Sequence, residues 1–167
     1  MYNRLTKKDV ERIEAEIDHR KVELRAELIE AVKEARAQGD LSENFEYYAA
    51  KRAKNQNEGR IRYLERMLKT AEIVDDTSDE GVVGMNNRVE IYFEEDDETE
   101  VYKIVTPVRC DTLKNKISIE SPIGKAVFGR RVGERVMVHV KEDYSFPVVI
   151  RAIEGTEDEE EDEIRKF

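Results

Sequence analysis

Gly39-Asp40-Leu41-Ser42-Glu43-Asn44 divides two stretches whose apolar residues recur at threes and fours. Before it run Val10, Ile13, Ile17, Leu24, Leu28, Ala31 and Ala35, with Arg20 at the skipped position. After it run Ala50, Ala53, Asn57, Ile61, Leu64, Leu68 and Ala71. Spacing of this kind places one apolar stripe along a helix, and neither stretch contains the proline that would interrupt it. Thr6 followed by Asp9 offers a start to the first helix, and Gly39 can end it in a left-handed backbone conformation. The intervening turn is short, so the spacing predicts an antiparallel coiled-coil hairpin, each arm about 30 residues and roughly 45 Å long at 1.5 Å per residue. Larger seam residues (Ile13, Ile17, Ile61, Leu64, Leu68) stand toward the base and alanines toward the turn. This narrows the expected tip, because small side chains let two helices approach closely.

Working outward, the chain is rich in charge, at 41% Asp, Glu, Lys and Arg, which limits the core it can build. No apolar run approaches the roughly 20 residues that span a bilayer, and the first residues carry no apolar leader core, so a cytoplasmic protein is expected. Cys110 is the sole cysteine, which excludes an internal disulfide and a cysteine-rich zinc site. His19 and His139 are too few and too distant in sequence to suggest a metal cluster. The net charge of −10 hides an asymmetry: residues 1–74 hold 16 Lys and Arg against 15 Asp and Glu, and all of the excess acid lies beyond them. Within 49–69 the balance turns basic through Lys51, Arg52, Lys54, Arg60, Arg62, Arg66 and Lys69.

Past Val74 the periodicity changes. The polar stretch 75–81 reads as a linker. Val89–Phe93 and Val101–Val105 flank an acidic turn and read as a β-hairpin; further strands are expected at 116–119, 136–140 and 148–153. Ser121-Pro122 can open a short helix to Phe128, with proline at its first position. The fold class expected is α+β: a helical hairpin over 1–75, a small β-rich globular domain over 76–154, and an acidic tail over 155–167 whose like charges keep it solvated.

Asp40 and Glu43 place two carboxylates in the turn between the helices. Two accounts fit them. The spacing suits a capping box, with Asp40 or Ser42 as the cap. It also suits a partial site for magnesium, a hard cation that prefers oxygen ligands and is often held by only one or two carboxylates plus groups supplied from elsewhere.

The run Gly39-Asp40-Leu41-Ser42-Glu43-Asn44-Phe45-Glu46-Tyr47-Tyr48-Ala49-Ala50-Lys51 resembles the tip signature of the bacterial Gre transcript-cleavage factors. A second match follows in Lys116-Ile117-Ser118, Ser121-Pro122-Ile123-Gly124-Lys125-Ala126, Gly129 and Val132-Gly133-Glu134, similar to the C-terminal signature of the same family. The wording is closer to the GreA type than to the GreB type, and Phe45 and Tyr48 depart from the small residue and histidine usual there. The resemblance implies a globular domain like that of FK506-binding proteins and a monomer that binds backtracked bacterial RNA polymerase through its secondary channel. It implies that Asp40 and Glu43 act as catalytic, metal-holding carboxylates. With Mg2+ shared with the polymerase, they stimulate hydrolysis of the RNA 3′ end by the polymerase, the protein being no enzyme by itself. Arg36, Lys51 and Arg52 would then meet RNA phosphates, and Ser121, Pro122, Ile123 and Gly124 would face the polymerase rim. Arg60, Arg62, Arg66 and Lys69, farther from the tip, are expected on a solvated face with ion pairs such as Glu58–Arg62, and Phe45 is expected to pack across the turn. Two other functions remain open: a Gre-like regulator that occupies the channel without cleavage, and a coiled-coil adaptor that acts without polymerase.

Overall fold

Asp40 and the acidic run 157–163 lie outside the residues described by the computed structural model, which are 3–39, 43–77, 79–156 and 164. Two compact units emerge, one over Val10–Ala71 and the other comprising the chain up to Asp9 and from Glu72 onward.

The first unit is the predicted hairpin. Helix α1 (Lys7–His19) passes without interruption through a π-helical turn, Arg20–Leu24, into α2 (Arg25–Ala37). After the turn, α3 (Phe45–Lys69) returns antiparallel to it, as the cross-pairs show. Glu16 meets Arg60, Arg20 meets Asn57 and Arg36 meets Tyr47, so partners run in opposite directions. Ile13, Ala35, Ile61, Leu64 and Met67 are buried. Arg60 is also buried, contrary to the solvated face expected of it. The reason is Glu16, which accepts from Arg60 Nε at 3.0 Å and from Arg20 Nε at 2.9 Å and so gives both guanidinium groups a partner at the seam. Burial raises the Glu16 pKa, but the hydrogen bonds and charges of Arg60 and Arg20 outweigh it and hold the carboxyl below its ordinary value. Glu58 likewise departs from expectation. It forms a bidentate pair with Arg25 across the hairpin, at 2.7 and 2.9 Å, in place of an expected pair with Arg62 on its own helix. A planar guanidinium matches both carboxylate oxygens at once.

The second unit contains the β-rich domain. Strands β3 (Arg88–Phe93), β4 (Glu98–Val105), β5 (Lys116–Ser118), β6 (Arg135–Lys141) and β7 (Tyr144–Glu154) form one sheet in the order β5-β4-β3-β7-β6. All neighbours are antiparallel except β4 and β5, so the sheet is mixed. Register shifts at Glu90/Ile91 and His139/Lys141 bend it, as bulged strands do. Alternate residues face one side: Val89 and Ile91, Val136 and Val138, Val148 and Ile150 are buried together with Ile104. Helix α4 (Pro122–Val127) covers that core through Val127 and packs on β5 and β6. The expected strands and helix are therefore present, and the α+β class holds. Two short strands were not anticipated: β1 (Asn3–Leu5) pairs with β2 (Ala71–Ile73). Three residues give too little alternation to register as a strand pattern.

The first turn of α1 is held within this second unit. The cap expected at Thr6 and Asp9 is present, and it is reciprocal: Asp9 N donates to Thr6 Oγ1 at 3.2 Å and Thr6 N donates to Asp9 Oδ2 at 3.0 Å. Unforeseen is what else Asp9 does. Its carboxylate, fully buried, pairs with the fully buried Arg109 at 2.7 Å and accepts from Thr106 Oγ1 at 2.7 Å. Arg109 also donates to Asn86 Oδ1 at 2.7 Å.

Candidate functional site

The tip is organised by Asn44. As N-cap of α3, its Oδ1 accepts from Tyr47 N at 3.1 Å. Its Nδ2 donates to the carbonyls of Ala35 at 2.9 Å and Gly39 at 2.7 Å, at the end of α2. One amide thus satisfies orphan groups at the end of one helix and the start of the next. Gly39, at φ +127°, makes the turn that a Cβ would hinder. Asp40 and Ser42, the caps the spacing offered, lie outside the described residues; the cap of α3 is Asn44, whose side chain supplies both an acceptor for α3 and donors for α2. Asn44→Ala is expected to cost about 1–2 kcal/mol, the usual worth of a cap. Urea unfolding followed by helical circular dichroism measures it, and an unchanged midpoint would refute the role.

Glu43 precedes the cap and is exposed. Its backbone carbonyl accepts from Phe45 N at 2.9 Å, and no described residue donates to its carboxylate. Among the described residues no group of three or more His, Cys, Asp or Glu could hold a metal ion. An exposed, unencumbered carboxylate is chemically suited to share such an ion.

Around it, Arg36 Nη2 donates to the Tyr47 hydroxyl at 3.0 Å, and its guanidinium carbon lies 5.4 Å from the Tyr47 ring centroid. Tyr47 and Tyr48 tilt against one another with centroids 5.6 Å apart. Phe45 is 78% exposed, so it does not pack across the turn as expected; it starts α3 on an outward face. Lys51 and Arg52, both exposed, line a shallow groove on α3 with Tyr48, Asn55 and Gln56. The three cations singled out by sequence are therefore divided. Lys51 and Arg52 share one groove beside an aromatic ring, whereas Arg36 is engaged by Tyr47.

In the other unit, Ser121 caps α4: its Oγ accepts from Gly124 N at 3.0 Å and donates to Ser118 O at 2.6 Å. Ile123 packs on the core, and Gly124 is buried. Pro122 is exposed and borders a groove with Lys125, Arg130, Arg135, Met137 and His139. A Cβ on Gly124 would overlap the Ser118 carbonyl oxygen and stand 2.9 Å from Ser121 Oγ. Gly124→Ala is expected to destabilise this domain by about 1–3 kcal/mol through overpacking. A denaturation midpoint equal to that of the parent would disprove the close approach.

Two family models match in succession: "Transcription elongation factor, N-terminal" over residues 3–73 and "Transcription elongation factor, GreA/GreB, C-term" over 78–155. The chain belongs to the GreA/GreB transcription elongation factor family. Relatives agree. The chain is 44% identical over 139 residues to transcription elongation factor GreA of Caldanaerobacter subterraneus subsp. tengcongensis, a match covering 81% of this chain and 87% of the relative. With GreA of Sinorhizobium medicae it shares 41% over 128 residues, 76% of this chain and 81% of the relative. A crystal structure of GreA factor homolog 1 (Gfh1) of Thermus thermophilus matches at 29% identity and a TM-score of 0.43, covering 93% of this chain and all of that one. Among the described residues of this GreA/GreB-family chain, no helix is long and apolar enough to cross a membrane.

Proposed function

We propose that this GreA/GreB-family factor binds bacterial RNA polymerase that has backtracked, and stimulates hydrolysis of the extruded RNA 3′ end by the polymerase. The hairpin enters the secondary channel, and the edge around Ser121, Pro122, Ile123 and Gly124 docks outside it, with Pro122 the exposed contact. The observation that carries this reading is Glu43. Because Asn44 serves as the cap, the Glu43 carboxylate stands before α3 with no described donor on it.

Asp40 and Glu43 are the residues that would hold Mg2+ jointly with ligands of the polymerase. Such an ion, when bound, activates water and offsets phosphate charge. The chain's own part is to deliver two anionic ligands on a backbone held by Asn44. Lys51 and Arg52 would attract the phosphates of any transcript without reading its sequence, Tyr48 offers a ring for a base to stack on, and Arg36 steadies Tyr47.

The test is to add the protein, with magnesium, to elongation complexes stalled by a mismatched RNA 3′ end. Release of short 3′ fragments, faster than with polymerase alone, is the expected result. Binding without release would replace this reading with that of a channel-occupying regulator. Absence of polymerase binding would favour an adaptor.

A further inference from the structure

The π turn at Arg20–Leu24 changes which residues of α2 face α3. In an unbroken α-helix, residue 31 falls five whole turns after Ile13, so Ala31 would stand directly above it on the seam and Val32 about 100° away. The structure has the reverse: Ala31 is exposed, Val32 is half-buried, and Ala35 is buried. Arg25 is likewise turned inward, where it meets Glu58. A π turn accommodates one residue more than an α-turn, which sets the following helix back by about 100° and brings Val32 to the place Ala31 would hold.

What holds the extra residue at this turn is Asn57, on the facing helix and 3% exposed. The Arg20 carbonyl accepts the π bond from Arg25 N–H, and it also accepts from Asn57 Nδ2 at 3.3 Å. Asn57 Oδ1 in turn accepts from Arg20 Nη1 at 3.0 Å. Moving the extra residue elsewhere along the helix would leave a buried amide without these partners. The set-back also decides the tip, since Asn44 can reach the Ala35 and Gly39 carbonyls, and Arg36 the Tyr47 hydroxyl, only while α2 keeps this phase.

We propose that Asn57 is a positioning residue: it clamps one extra residue into the Arg20–Leu24 turn and so fixes the rotational phase of α2 on which the tip around Glu43 is built. Its effect on cleavage rests on the proposed function; its effect on phase does not.

Phase is read by thiol labelling of Ala31→Cys and Val32→Cys chains in a Cys110→Ser background. With Asn57 present, the Ala31→Cys chain is expected to label about tenfold faster or more. With Asn57→Leu the order levels or inverts, as the helix relaxes to regular geometry and the tip half rotates. Deleting Val22, which is 65% exposed within the π turn, removes the surplus residue. The Asn57→Leu chain lacking Val22 is therefore expected to recover the parental order. A folded Asn57→Leu chain that keeps the parental order overturns the proposal, and so does failure of the Val22 deletion to restore it. If Asn57→Leu alone is too unstable to label, the chain with both changes decides: it is expected to fold and label in the parental order, and failure to do so overturns the proposal.

In the cleavage assay, Asn57→Leu is expected to lower the maximal rate about tenfold or more with the half-saturating protein concentration unchanged, and deletion of Val22 to recover it. A parallel loss of rate and binding, unrelieved by the deletion, would mark Asn57 as merely structural. Failure of the parent chain to stimulate cleavage would sink the proposed function and leave the labelling result standing.

Discussion

Glu43→Gln is expected to slow RNA 3′-end cleavage by about 100-fold while the concentration of protein that half-saturates the polymerase moves by no more than about twofold. Loss of even an indirect support to a metal site typically costs about 10–100-fold, and a direct oxygen ligand should lie at the upper end or beyond. A hundredfold loss corresponds to about 2.7 kcal/mol of transition-state stabilisation. The amide keeps the size of the side chain and removes its charge. The tip itself should survive the change, because the described contact of Glu43 is made by its backbone carbonyl and the cap belongs to Asn44. Asp40→Asn is expected to act in the same direction. If both serve one ion, the double variant loses much less than the product of the two single effects, since removing the second ligand from an ion already lost changes little. Cleavage at the parental rate with Glu43→Gln, measured on stalled complexes at saturating protein, would remove the carboxylate from the mechanism.

Arg109→Met is expected to destabilise the β-rich unit by about 3–5 kcal/mol, the usual cost of leaving one member of a buried ion pair alone. Both Asp9 and Arg109 are fully buried, and the pair is 2.7 Å apart. Without the guanidinium, the Asp9 carboxylate loses its opposite charge while the Thr6 and Thr106 donors stay, and Asn86 Oδ1 loses the donor it accepts from at 2.7 Å. For a domain of this size a loss of 3 kcal/mol lowers Tm by roughly 12–24 °C, read by calorimetry or circular dichroism. Adding Asp9→Leu to Arg109→Met should return part of that loss, because two apolar groups leave no stranded charge, although the Thr6 cap is forfeited. A single-variant loss below about 1 kcal/mol would mean the pair is not desolvated as the structure has it.

Much of the architecture was legible because it is periodic. Apolar residues at threes and fours announced the hairpin, and the apolar runs at 89–93, 136–140 and 148–153 announced strands that the structure extends to Arg88–Phe93, Arg135–Lys141 and Tyr144–Glu154. Caps read by local chemistry also held, as at Thr6 with Asp9 and at Ser121 with Pro122. The tip was legible as a motif, but not which of its residues caps α3. Asp40, Ser42 and Asn44 all have oxygens that can cap a helix, and the choice fell to Asn44 because its amide also reaches the carbonyls of the other helix.

Local patterns carried the two-part α+β design, the position of Asp40 and Glu43 between the helices, and, through paired motifs, membership of the GreA/GreB family. These follow from patterns within a few residues of one another, where backbone geometry is set by neighbours. Three features emerge only once the chain is folded: Arg60 lies buried against Glu16, Arg109 meets Asp9, and a π turn under Asn57 shifts the seam from Ala31 to Val32. Each of these joins residues far apart in the chain. Periodicity cannot register such pairs, because a buried charge or an extra residue is stabilised by a partner that local sequence does not name.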